Sequence, residues 1–76
     1  MNIDIDNLLK TKMNVGTEPE HISNPFTGAT ILLTPEEVAV HDLIKGAEGV
    51  RDFDTVQAGC DWFREHNSKA YMALLD

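Results

Sequence analysis

The segment "RDFDTVQAGCDWFREHN", residues 51–67, constrains the fold most, because its apolar side chains cover more than one side of a helix. Asp54 is the predicted N-cap of a helix at about 55–66, since Gln57 follows it as in a capping box. At helical spacing the apolar arc spans about 200°, and it holds Val56, Ala58, Gly59, Cys60, Trp62, Phe63 and His66. An arc this wide predicts contacts on two sides, so this helix should lie at the centre of the domain.

Two residues of this segment predict particular contacts. Gly59 in a helix interior costs about 1 kcal/mol relative to alanine, which favours a close crossing by another backbone. Phe53 precedes the predicted cap, where an apolar residue can pack against Ala58 as a hydrophobic staple.

A second helix is predicted from "LTPEEVAVHDLIKGAEG", residues 33–49. Thr34, Pro35 and Glu37 form a helix start with a capping box, and Gly46 and Gly49 are expected to end the helix, giving a range of about 35–46. Its predicted buried face consists of Ala39, Val40, Leu43, Ile44 and Ala47, and its polar face of Glu37, His41, Asp42 and Lys45. The apolar face should pack on the helix at 55–66.

A hairpin is predicted upstream, in "HISNPFTGATILL". Asn24 is restricted to extended backbone by Pro25, and Gly28 accepts a positive φ in the turn. The expected strands lie near 21–24 and 29–33, and they need helices to cover them because two strands alone are unstable in water.

The two ends of the chain complete the predicted architecture. Ser68 is expected to cap a last helix at about 69–75, and Asp6 a short helix at about 6–13. The predicted fold class is mainly α with a small β-hairpin (α+β), in which the hairpin precedes three helices. We expect residues 21–76 to form one small domain, with residues 1–20 as an arm or a short docking helix.

Composition excludes several classes of protein. The chain has 76 residues, with 6 Lys and Arg against 13 Asp and Glu, a formal net charge of −7. Direct nucleic-acid binding requires clustered cations, which this sequence lacks. No segment reaches the ~20 apolar residues that span a bilayer, so a cytoplasmic location is expected, without membrane contact.

Catalytic and metal sites are not expected either. Cys60 is the only cysteine, and its position on the apolar arc favours a buried, unreactive thiol. The spacings of His21, His41 and His66 do not match zinc motifs, and the paired carboxylates fall at helix starts, where the helix dipole stabilises them. The sequence therefore predicts a protein that is not an enzyme and has no cofactor.

Binding to a partner protein is the remaining expectation. Phe26 lies in the turn, where few neighbours can cover it. Trp62 is a residue type that anchors many interfaces, although its position favours the core. The predicted partner-binding residues are Phe26, Trp62, Tyr71, Glu36 and Glu37.

The runs "NPFTGATILLTPEEVAVHDLIKGAE" and "WFREHNSKAYMALLD" resemble small uncharacterised proteins encoded by tailed bacteriophages. The shared features are an Asn-Pro-aromatic turn, an apolar strand before a Thr-Pro helix start, and a terminal Trp-Phe, Asn, Tyr-Met, Leu-Leu-Asp pattern. The resemblance covers residues 24–76. It implies a phage product that acts in the cytoplasm of the infected host or in the virion.

The leading hypothesis is a small acidic protein-interaction module, in a phage context a modulator or inhibitor of a host protein. One alternative is an acidic nucleic-acid mimic that binds a DNA-binding protein, for which affinity would fall steeply with salt. Another is a virion or self-assembling component, which forms homo-oligomers that sedimentation would detect.

Overall fold

The computed structural model describes residues 3–11, 13 and 15–75. In chain order its elements are α1 (Ile5–Thr11), β1 (Glu20–Ser23), β2 (Thr30–Leu33), α2 (Pro35–Gly49), α3 (Phe53–His66) and α4 (Ser68–Leu74). The predicted mainly helical fold, with an antiparallel hairpin ahead of three helices, is confirmed at this level. In the described part of the chain, every helix is too short or too polar to cross a bilayer.

Helix α3 lies at the centre of the fold. It pairs most extensively with α2 and also contacts α1 and α4, as the wide apolar arc predicts. The largest side chains that are completely buried are Phe63 of α3, Val40 and Ile44 of α2, and Leu33 at the end of β2. The core is therefore formed by the α2–α3 interface and closed by the hairpin.

Gly59 is buried where α2 crosses α3. A Cβ atom at this position would lie 2.5 Å from Cγ1 of Ile44, far inside van der Waals contact. The predicted close crossing is present, but the nearest neighbour is a side chain rather than a second backbone. Because Ile44 is fully buried, it has little room to move away.

The hairpin places one face on the core. Ile22 is directly opposite Ile31 in the register, and Leu33, two residues further on the same face, is completely buried. On the opposite face, the hydroxyl groups of Ser23 and Thr30 are 2.9 Å apart. Each end of the two strands lies within one residue of its predicted position. Asn24 and Ala29 were predicted in the strands but belong to the turn.

Helix α2 starts as predicted and ends later. The Thr34 hydroxyl accepts a hydrogen bond from the Glu37 N–H, and the Glu37 carboxylate accepts one from the Thr34 N–H. The predicted end at Gly46 is wrong, because the helix continues to Gly49. The additional turn buries Ala47, an interaction that would be lost if the helix stopped at Gly46.

The predicted N-cap of α3 is also wrong. Asp52 caps the helix in place of Asp54, and its two carboxylate oxygens accept hydrogen bonds from the Thr55 N–H and the Thr55 hydroxyl. The second bond explains the choice, since only Asp52 stands three residues before a threonine. Phe53 is consequently the first helical residue, and with 66% of its surface exposed it does not act as a staple.

Asn67 rather than Ser68 caps α4. Its side-chain carbonyl accepts a hydrogen bond from the Ala70 N–H at 3.1 Å, while its own N–H donates to the Phe63 carbonyl at the end of α3. One residue thus ends α3 and starts α4.

Helix α1 begins one residue earlier than predicted and ends at Thr11; of its predicted range, Lys12 lies outside the described residues. Asp4 accepts a hydrogen bond from the Asn7 N–H, so Asp6 is not the cap. Ile5 is buried and the helix contacts α2 and α3. The carboxylate of Asp6 instead accepts a hydrogen bond from a side chain of α3, described below.

Candidate functional site

The hairpin turn presents Phe26 to solvent on a backbone that Asn24 holds in place. The side-chain carbonyl of Asn24 accepts a hydrogen bond from the Phe26 N–H at 2.8 Å, and its backbone carbonyl accepts one from the Gly28 N–H at 2.8 Å. Gly28 has a φ of 77°, as the sequence predicted. The Phe26 side chain is 94% exposed, so the expected exposure of this aromatic ring is present in the structure.

The turn is also fastened to the last helix. The amide group of Asn24 donates a hydrogen bond to the backbone carbonyl of Ala73 in α4, at 3.0 Å. This bond joins residues 49 positions apart in the chain. The turn that carries Phe26 is therefore attached to α4 by a hydrogen bond.

A groove of about 450 Å³ lies beside Phe26. We call it the turn groove. Its lining residues are Ser23, Asn24, Pro25, Phe26, His41, Lys45, Glu48, Leu74 and Leu75. The apolar side chains come from the turn and the last residues of the chain that are described, the uncharged polar ones from the hairpin, and the ionisable ones from α2.

His41 was expected on the solvent face of α2, and this prediction is wrong. Its side chain is only 13% exposed, and within the described residues its buried Nδ1 atom has no hydrogen-bond partner. The nearest carboxylate oxygen belongs to Asp42, at 3.6 Å. His41 lines the turn groove together with residues of the hairpin turn and of α4, a tertiary neighbourhood that helical periodicity alone does not reveal.

Trp62 is buried in the core and does not line the turn groove beside Phe26. Its ring is stacked on His66, with centroids 4.1 Å apart and planes inclined by 17°, and it meets Phe63 edge-on. Its indole N–H donates to the Asp6 carboxylate at 2.9 Å. This bond ties α1 to the centre of the fold.

A second groove, of about 370 Å³, lies where α1, α2 and α3 meet. We call it the acidic groove. It is lined by Asp6, Leu9, Lys10, Thr34, Glu36, Glu37, Trp62 and His66. Three of the predicted partner-binding residues therefore come together here, while Phe26 lines the turn groove.

The two adjacent glutamates differ in their surroundings. Glu36 is exposed. Glu37 is only 8% exposed, which contradicts its expected place on the polar face of α2, and its second carboxylate oxygen accepts a hydrogen bond from the Asn67 side chain at 3.0 Å. The carboxylate of Glu37 is therefore engaged in internal hydrogen bonds, whereas Glu36 lines the same groove with an exposed side chain.

Tyr71 lines neither groove. It is half-buried on α4, and the guanidinium carbon of Arg64 lies 5.6 Å from the centre of its ring. The five residues predicted to bind a partner are thus divided among three places on the surface.

Sequence reasoning missed the residues that complete these grooves. Leu74 and Leu75 belong to the predicted last helix and were not among the predicted partner-binding residues, yet both line the turn groove. Asn24 could have been identified in part, because an Asn side chain commonly bonds to the backbone two residues later in a turn. Its bond to Ala73 has no signal in the sequence.

Cys60 is half-buried in α3. Burial raises its pKa above the ordinary value, and the carboxylates of Glu48 and Asp61 raise it further, against the smaller opposing effects of Arg64 and Lys45. A nucleophilic cysteine needs the reverse shift. Among the described residues there is also no group of three side chains able to hold a metal ion.

The thiol of Cys60 should react slowly in the folded protein. Near pH 8 a raised pKa leaves less thiolate than in the unfolded chain, where the pKa is about 9.0, so we expect iodoacetamide to alkylate the native protein several-fold more slowly than the urea-denatured protein. Because the pKa of this thiol is higher in the folded protein, its contribution to the free energy of unfolding is present in full below about pH 9. The contribution is lost as the pH rises through the folded-state pKa. Mass spectrometry measures the rate of alkylation. No control variant is needed, because Cys60 is the only cysteine in the chain. A native rate equal to or above the denatured rate would contradict the prediction.

Comparisons of the chain with protein-family models, with curated proteins and with solved structures found no match. The features of the molecule that bear on function are the two grooves and the hairpin turn.

Proposed function

We propose that the protein is a non-enzymatic interaction module that binds another protein through the hairpin turn, with Phe26 as the main contact. The observation that supports this most directly is the 94% exposure of an aromatic ring on a turn held by hydrogen bonds at Asn24. Single exposed apolar residues are common on monomeric proteins. An exposed ring whose backbone is fixed at both the turn and α4 is a more specific arrangement.

Fixing the turn favours binding for an entropic reason. A partner that covers Phe26 gains about 1.5–3 kcal/mol from burying a side chain of this size. It does so without ordering a flexible loop, and such ordering weakens many interfaces. The partner can also enter the turn groove, where Leu74 and Leu75 offer further apolar surface next to the ring.

The resemblance of residues 24–76 to tailed-phage proteins suggests where such a module would act. In that setting the partner is a protein of the infected cell, and binding modulates or inhibits it in the host cytoplasm. The apolar character of the turn favours this function over nucleic-acid mimicry, since a mimic would depend on carboxylates rather than on Phe26.

Phe26→Ala should abolish partner capture, whereas Phe53→Ala should not. Both side chains are exposed phenylalanines, at 94% and 66%, so the control removes the same atoms from a different surface. Each variant is immobilised and exposed to a lysate of the cells in which the chain is naturally produced, and captured proteins are quantified by mass spectrometry. We expect a specific partner to be retained by the wild type and Phe53→Ala, and reduced about tenfold or more by Phe26→Ala, as for an interface hot spot.

Equal capture by all three proteins would overturn the assignment of Phe26. Two further measurements separate the alternative functions. A partner whose affinity falls steeply with salt but is insensitive to Phe26→Ala would indicate a nucleic-acid mimic. Concentration-dependent sedimentation that Phe26→Ala abolishes would indicate a self-assembling component.

A further inference from the structure

We infer that the acidic groove binds an arginine side chain of a partner protein. This site is separate from the one proposed above, because the acidic groove and the turn groove have no lining residue in common. It adds a second, charge-selective contact to the interaction module, and it can be tested without knowing the partner.

The groove combines apolar side chains with carboxylates. Leu9 of α1 and Trp62 of α3 provide the apolar wall, and Glu36 lies in the first turn of α2 with its side chain exposed. The volume of about 370 Å³ is within the range of sites that bind small ligands. A long side chain with an apolar stem and a polar head fits such a surface, because the stem packs on the wall while the head stays near water.

The charge of the groove selects a cation. Three carboxylates, those of Asp6, Glu36 and Glu37, line it together with a single ammonium group, that of Lys10. Asp6 and Glu37 already accept hydrogen bonds from Trp62, Thr34 and Asn67. Within the described residues no hydrogen bond or ion pair engages Glu36, which makes it the acceptor available to a ligand.

Arginine satisfies this geometry better than lysine. Its planar guanidinium can bond to a carboxylate through two parallel N–H groups, and it also stacks on aromatic faces. His66 is exposed and its ring is stacked on Trp62 at 4.1 Å, so aromatic groups lie beside the carboxylates in the lining of the groove. An anionic ligand would be repelled by the same three carboxylates.

The test uses the complete chain and two blocked tripeptides, one with arginine between two leucines and one with uncharged citrulline in its place. Trp62 is the only tryptophan and lines the groove, so its fluorescence reports binding directly. We expect the arginine peptide to bind about fivefold more tightly than the citrulline peptide, as for one solvent-accessible charged contact. Added salt should reduce this preference.

Glu36→Gln should remove the preference for arginine. Glu18→Gln is the matched control, since it removes the same charge from an exposed residue outside the groove, and it should retain the preference. Equal binding of the two peptides, no saturable fluorescence change, or a preference that survives Glu36→Gln would each overturn the inference. Phe26→Ala should bind the arginine peptide like the wild type, so a failure of the acidic groove is distinguishable from a failure of the turn surface.

Discussion

Replacing Phe63 with alanine should lower the free energy of unfolding by about 3–5 kcal/mol, the range found for removal of a buried aromatic ring. Phe63 has no exposed surface and is the largest side chain that is fully buried. The core of a domain this small supplies only about 3–5 kcal/mol in total. The variant should therefore be largely unfolded at 25 °C, with loss of helical circular dichroism before any denaturant is added.

Phe53→Ala is the control for this experiment as well. Its ring is 66% exposed at the start of α3, so its removal should change the unfolding free energy by less than about 0.5 kcal/mol. Urea titrations followed by circular dichroism compare the two variants with the wild type. Comparable losses in both would show that the α2–α3 interface is not the main source of stability.

The position of Phe63 illustrates what could be predicted from the sequence. A helix with an apolar arc of about 200° must have neighbours on two sides, and α3 contacts α1, α2 and α4. The capping box at Thr34 and Glu37 was likewise predictable, because both of its hydrogen bonds are local. Features that depend on contacts within one helix, or on its overall apolar pattern, are therefore predictable from the sequence when no second local signal competes with them.

The predicted helix ends failed where local signals compete. Gly46 is a common stop signal, yet α2 passes through it because Ala47 becomes buried one residue later. Asp52 and Asp54 are both plausible caps by residue type, and the hydroxyl of Thr55 decides between them. In each case the deciding interaction is worth about 1 kcal/mol, too small to stand out in a sequence pattern.

In the candidate sites, too, local features were predicted and long-range contacts were not. The exposure of Phe26 follows from its place in a local turn, and it was predicted. The attachment of that turn to Ala73 joins distant parts of the chain, as does the bond between Trp62 and Asp6. Neither bond could be inferred from spacing, so the separation of the predicted residues among the turn groove, the acidic groove and α4 was not predicted.

Glu37 is the clearest case in which helical periodicity fails to predict burial. Helical periodicity places a charged residue on the solvent-exposed face of a helix. Glu37 is buried because partners satisfy both of its carboxylate oxygens: the Thr34 N–H at 2.9 Å and the Asn67 amide at 3.0 Å. Asn67 in turn caps α4. A single carboxylate thus links the start of α2 to the junction of α3 and α4.

Glu37→Ala should consequently destabilise the protein by about 2–3 kcal/mol, since it leaves two part-buried donors without an acceptor. Glu36→Ala, one residue earlier in the same helical turn, should cost less than about 0.5 kcal/mol because its side chain is exposed. Both variants lose one negative charge near the N-terminus of α2, so the helix dipole and net charge are matched. Urea unfolding followed by circular dichroism measures the difference.

Glu37→Gln tests whether the hydrogen bonds or the volume of the side chain matter. Glutamine has the same size but keeps one acceptor oxygen, so it can satisfy either Thr34 or Asn67 but not both, and its stability should lie between those of the wild type and Glu37→Ala. If Glu37→Gln is as stable as the wild type, one of the two bonds contributes nothing. If Glu36→Ala is as unstable as Glu37→Ala, the contribution comes from charge at the helix start, and the division between a structural Glu37 and a ligand-binding Glu36 is wrong.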